Sequence, residues 1–166
     1  MQQRRVVVVL LFLFKKILSF CAITICIVMA YSPVVLSQSD DPLSSNANGY
    51  VARILNDSPE EVADALERAE KLYLEGKLPQ GANPISIILH GPEVEIFFKD
   101  NYEEYKKIVD LAARLSAFGV VDVRVCETQS GIMGRSRSSI HPFIGTVPFG
   151  PTEVKRLLDQ QNYVYF

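Results

Sequence analysis

One thiol carries most of the chemistry this sequence offers. Of its 3 cysteines, Cys21 and Cys26 fall in an apolar N-terminal stretch, and Cys126 stands alone in the rest. A lone cysteine makes no intramolecular disulfide, and no Cys/His set with metal spacing accompanies it, so neither a metal nor an organic cofactor is expected. What remains is the chemistry of a nucleophilic thiolate. Glu127 to Gly131, which follow, are polar, and this predicts a thiol facing a cleft or solvent. Arg135 and Arg137 lie in the same loop, where their charge would favour the thiolate. A helical turn starting near Thr128 would act in the same sense through its amides. The plainer reading makes Cys126 a small buried apolar side chain and Arg135 to Ser139 a solvated loop.

His90 closes the run Ile85 to Leu89, ISIIL. There it could polarise a bound group or take a proton from a thiol; equally, it could be hydrogen-bonded in the turn before Gly91-Pro92. His141, ahead of Pro142, receives no role. Asn56-Asp57-Ser58 matches a glycosylation acceptor, but Ser58 reads better as a helix cap. A nucleophile elbow and a dinucleotide fingerprint are both missing, since the Gly145-to-Gly150 spacing has no middle glycine. A conventional enzyme is therefore not expected.

The elements that must position these residues alternate between two periods. Tyr50 to Leu55 is β-compatible. Ser58, Pro59 and Glu61 then predict a capped helix start with a closed capping box. Val62, Ala65, Leu66, Ala69, Leu72 and Tyr73 form its apolar stripe, and Gly76 its stop. Ile85 to Leu89 is a buried-type strand, while the state of Val94 to Phe98 is open. Asn101, with Glu104 as boxed partner, predicts the next cap. Tyr105, Ile108, Val109, Ala112 and Leu115 face inward up to Phe118-Gly119. Val120 to Val125 is a strand delivering Cys126 at its C-terminal end. Ile144 to Val147 is a short strand, Gly150 to Glu153 starts a helix burying Val154, Leu157 and Leu158, and Tyr163 to Phe166 is a last strand. The expected fold class is α/β: an open, mainly parallel five-stranded sheet with helices on both faces, flavodoxin-like by default.

Charge separates the chain into two parts. No acidic residue precedes Asp40, whereas Arg4, Arg5, Lys15 and Lys16 all lie ahead of it; thirteen basic against nineteen acidic side chains remain, about −6 net. Such a domain has no general attraction for phosphate backbones or anionic membrane surfaces, so nucleic acid is not an expected partner. Residues 1–37 read as a signal peptide, basic and then apolar from Ile17 to Ala30, with cleavage before Gln38 or after Ala30. The alternative is an uncleaved anchor. Fourteen residues would reach only ~21 Å of a ~30 Å hydrocarbon layer, and a longer span would bury two lysines. Either way the domain is expected outside the cytoplasm, periplasmic or otherwise exported. Residues 38–49 read as a flexible linker, and residues 50–166 as the domain.

Three segments then resemble a known family. They are Ile88-Leu89-His90-Gly91-Pro92, Val123-Arg124-Val125-Cys126, and the run from Glu153 to Leu158 that ends in Gln161-Asn162-Tyr163-Val164-Tyr165-Phe166. In that order and spacing they are similar to the DsrE/DsrF-like proteins, small α/β proteins associated with sulfur oxidation and sulfur relay. The likeness covers Tyr50 to Phe166. It implies a doubly covered sheet, assembly into trimers or hexamers, and, in sulfur-transferring members, a cysteine at the position of Cys126 that carries a persulfide. Partners would be a second copy of the chain and a sulfur donor or acceptor protein, or a small thiol. Glu127 after the cysteine, the longer Ser/Arg-rich stretch and the export signal depart from the pattern. A second expectation is a binding or assembly module with an inert Cys126, in which Val94 to Phe98 and the terminal Val-Tyr-Phe supply subunit contacts.

Overall fold

The computed structural model describes residues 46–79 and 81–166. The expected leader, residues 1–37, and residues 38–45 of the expected linker lie outside the described residues. In chain order the elements are β1 (Gly49–Val51), α1 (Pro59–Leu74), β2 (Ile85–Leu89), a 3-10 segment Pro92–Phe97, α2 (Tyr102–Ala117), β3 (Val121–Cys126), α3 (Glu127–Ile132), β4 (Gly145–Val147), α4 (Gly150–Gln161) and β5 (Tyr163–Tyr165).

All five strands run parallel in the order β4-β3-β2-β1-β5. β2 lies at the centre and is buried at every position. Its alternation sends Ile85, Ile87 and Leu89 to one face and Ile88 to the other. The first face packs against Val62, Leu66 and Ala69 of α1, Val109, Ala112 and Leu115 of α2, and Phe97 and Phe98. Each large side chain fully withdrawn from water there contributes about 1.5–3 kcal/mol. Val51, Ile88 and Val147 form a smaller cluster on the second face with Leu157 of α4, backed by Val154 and Leu158. The expected class therefore holds.

Strand order departs from the flavodoxin 2-1-3-4-5 arrangement. Crossovers β1→β2, β2→β3 and β3→β4 all step the same way, so their connections share one face. The chain reverses only at the last crossover, which returns across the whole sheet to pair β5 beyond β1 and carries α4 on the opposite face. Adjacent strands β3 and β4 thus send their connections to opposite sides. The topological switch lies between their C-terminal ends, where Cys126 pairs with Val147.

Several local expectations shift. β1 stops at Val51, not Leu55, because the amides of Leu55 and Asn56 turn to the Glu61 carboxylate, at 2.7 and 2.8 Å. That same carboxylate leaves the capping box open: Ser58 Oγ accepts from the Glu61 amide at 3.3 Å, but Glu61 reaches past Ser58. Asn101 precedes α2 without capping it by its side chain; its Nδ2 donates to the Glu95 carbonyl at 2.9 Å. The open segment Val94 to Phe98 is mostly 3-10, and Val94, Ile96, Phe97 and Phe98 are core residues. It therefore has no apolar side chain free for subunit contacts. The linker ends sooner than residue 49, since Asn48 donates its amide to Asn162 and Gly49 belongs to β1.

Candidate functional site at the switch point

Parity along β3 aims the cysteine. Val121, Val123 and Val125 enter the large core, and Asp122 and Arg124 face α4, so Cys126 follows them onto the α4 side. β2 repeats the pattern: His90 continues the Ile88 face. Both side chains meet Gly150, the first residue of α4. A Cβ at Gly150 would lie 2.6 Å from the His90 Cβ and 3.5 Å from the Cys126 Cβ. Only a residue without a side chain lets the helix start so close. An ion-pair network sets the helix there: Arg124 Nη1 donates to Glu153 Oε1 at 2.8 Å, Arg156 holds both oxygens of Glu153, and Arg124 also pairs with Asp122. Arg156 first, then Arg124, holds the Glu153 carboxyl below its ordinary range against the opposing pull of burial.

The N-terminal end of α4 consequently overlies Cys126 and His90. Phe149, its N-cap, supplies no side-chain acceptor to the first turn. The first residue of this twelve-residue helix lies beside the Cys126 Cβ, while the Sγ itself has the Pro148 carbonyl as its polar neighbour. α3 does begin directly after Cys126, at Glu127, but the Thr128 amide is turned to the Pro148 carbonyl at 3.3 Å.

The thiol is covered rather than open to a cleft. Cys126 is a free cysteine, 2% exposed, its Sγ 4.0 Å from the Pro148 carbonyl. Of the polar residues that suggested exposure, Glu127 and Thr128 turn outward on α3, whereas Ser130 is buried and donates its hydroxyl to the Cys126 carbonyl at 3.1 Å. The two arginines have other partners. Arg135 pairs with Asp100 at 2.6 Å and lies over the Phe98 ring; Arg137 is 4.0 Å from Glu127. Of the four residues expected to act together, the fold brings His90 and Cys126 against one glycine and directs Arg135 and Arg137 elsewhere.

Sequence reasoning missed Glu93. It is 1% exposed, and its Oε1 accepts the amides of His90 at 2.7 Å and Gly91 at 3.0 Å, fixing the turn that presents His90. Its Oε2 is buried without a protein partner. An acidic residue directly after Gly-Pro, inside an apolar run, was the available signal. Gly150 was also missed, although a glycine opening a helix after a strand is where close backbone approach is to be looked for. Among the described residues no three His, Cys, Asp or Glu side chains cluster as metal ligands, and no helix is long and apolar enough to cross a membrane.

No family model matches the sequence, and no curated protein matches it. The fold is similar to the solved structure of a protein of unknown function, MTH1491 from Methanobacterium thermoautotrophicum. The identity is 15%, over 70% of this chain and 95% of that one, with a TM-score of 0.51. At that identity the likeness establishes a shared fold, an open α/β sheet, and nothing about activity.

Proposed function

We propose that this chain is an exported, DsrE-like sulfur-relay protein that carries sulfane sulfur as a persulfide on Cys126. The observation that supports it best is the approach of Cys126 and His90 to Gly150 at the N-terminal end of α4, on the switch between β3 and β4. In the first step the Cys126 thiolate attacks the outer sulfur of a persulfide donor, R–S–SH. The donor's S–S bond breaks, R–S⁻ leaves, and Cys126–S–SH forms. An acceptor thiolate then attacks that outer sulfur and releases the Cys126 thiolate. His90, whose side chain meets the same glycine, is the residue assigned to assist. Export follows from the basic and apolar N-terminal sequence, and assembly into a homo-oligomer from the family resemblance. Exposed apolar side chains such as Phe118 and Leu74 are available for subunit contacts. Exposure of the chain to a polysulfide donor, followed by mass analysis of the peptide containing Cys126, tests the reading.

One observation favours a second reading. A thiol 2% exposed, with both loop arginines engaged elsewhere, fits a non-catalytic module in which Cys126 is a packed side chain. The sheet edge would then hold a small ligand or a second copy without covalent chemistry. That reading predicts no sulfur uptake in the folded protein.

A further inference from the structure

A thiol 2% exposed reacts only after something moves. What lies over Cys126 is the β4–α4 junction, residues 148–150, with Pro148 and Phe149 exposed and Gly150 packed inward. We infer that this junction is a lid over the thiol and that Thr128 is its latch. The inference rests on the reading of Cys126 as the sulfur carrier and names the residue that governs access to it.

One acceptor gathers the contacts. The Pro148 carbonyl accepts from Thr128 Oγ1 at 2.8 Å and from the Thr128 amide at 3.3 Å, and the Cys126 Sγ faces it at 4.0 Å. The lid is therefore tied through a single oxygen, directly beside the sulfur, to the turn that leaves β3. The hydroxyl bond is exposed to solvent, so water replaces it readily when it opens. Swinging that carbonyl away uncovers the sulfur without disturbing the strand pairing, which ends at Val147. A neighbouring bond supplies an internal control. Thr146 Oγ1 donates to Glu127 Oε1 at 2.6 Å, so it ties the same turn to β4 without touching the lid.

The test is the rate at which the full chain is modified by N-ethylmaleimide at neutral pH, read on the peptide containing Cys126. Thr128→Val removes the hydroxyl at nearly constant shape and should accelerate modification about five-fold, the factor one ordinary hydrogen bond accounts for. Thr128→Ser, which restores a hydroxyl, and Thr146→Val, which removes the control bond, should both react at the wild-type rate. An unchanged rate in Thr128→Val would overturn the latch. So would equal acceleration in Thr128→Val and Thr146→Val, which would report general loosening. Wild-type protein in low urea gives a check free of substitutions: lid opening predicts a rate nearly independent of urea, and a steep rise would mean that the thiol is reached by unfolding. Maleimide reads access alone, whereas sulfur uptake reads chemistry. Accelerated alkylation with no sulfur uptake would retain the lid and sink the relay. Sulfur loading equally fast with and without the hydroxyl would sink the latch and retain the relay.

Discussion

Gly150 sits so close to His90 that a single added carbon would lie 2.6 Å from the histidine Cβ. The contact joins the residue that follows β2 to the first residue of α4 and brings that helix start over Cys126. Gly150→Ala should cost about 1–3 kcal/mol, the range for overpacking a filled site, because the clash is with a Cβ that cannot swing aside. Urea unfolding measures it; an alanine variant as stable as wild type would mean that the helix start has room to move away from His90.

Glu93 is the second anchor of the same turn. Its Oε1 serves two amides, so Glu93→Ala should destabilise by about 2 kcal/mol or more, leaving both donors in a buried turn without an acceptor. Glu93→Gln keeps one oxygen and should cost less. The comparison of the two unfolding midpoints is the check.

His141 makes stability depend on pH. Its ring lies between Tyr102 and Phe143, with centroids at 5.7 and 5.8 Å, and its Nε2 is buried without a partner. Burial first, then Lys99, pushes its pKa below the ordinary 6.5. As pH falls below about 6.5 the unfolded chain takes up a proton that the folded chain refuses, so this stability is present above 6.5 and lost as pH falls through the folded value. In His141→Phe the slope of unfolding free energy against pH between about 7 and 5 should flatten; an unchanged slope would assign the dependence to other groups.

Neither loop arginine should matter to the thiol. Arg135 is held by Asp100 and Phe98, and Arg137 lies exposed near Glu127. Arg135→Ala and Arg137→Ala should leave Cys126 alkylation within about two-fold of wild type and cost under ~1 kcal/mol each, as exposed pairs do. Ten-fold slowing in either would restore the arginine to the site.

The strands and helices that carry strong periodicity were legible in the sequence. Ile85 to Leu89 and the stripe from Val62 to Leu72 fall where a short apolar run and the helical period put them, because a central strand is covered on both faces and a helix on one. Cys126 and His90 were placed at the right sheet edge by the same logic. What escaped was set by single contacts between distant segments. The sequence shows Glu127 to Ser130 as polar but not that the preceding residue is roofed by Pro148. It shows two arginines near the cysteine in number, though their partners Asp100 and Glu127 decide where they point. The reversal at β4→β5, which selects the switch point, is likewise decided by which sheet edge β5 joins, a choice no local pattern encodes.

The measurement that bears most directly on the central claim is sulfur uptake at Cys126 in folded protein. The chain is exposed to a polysulfide donor under native conditions, and the peptide containing Cys126 is weighed before and after treatment with a reducing thiol. Addition of one sulfur mass, removed by the thiol and absent in Cys126→Ser, is the result a persulfide carrier predicts. A Cys126 that gains no sulfur until the domain is unfolded would contradict it and leave the buried thiol as part of the packing around Gly150.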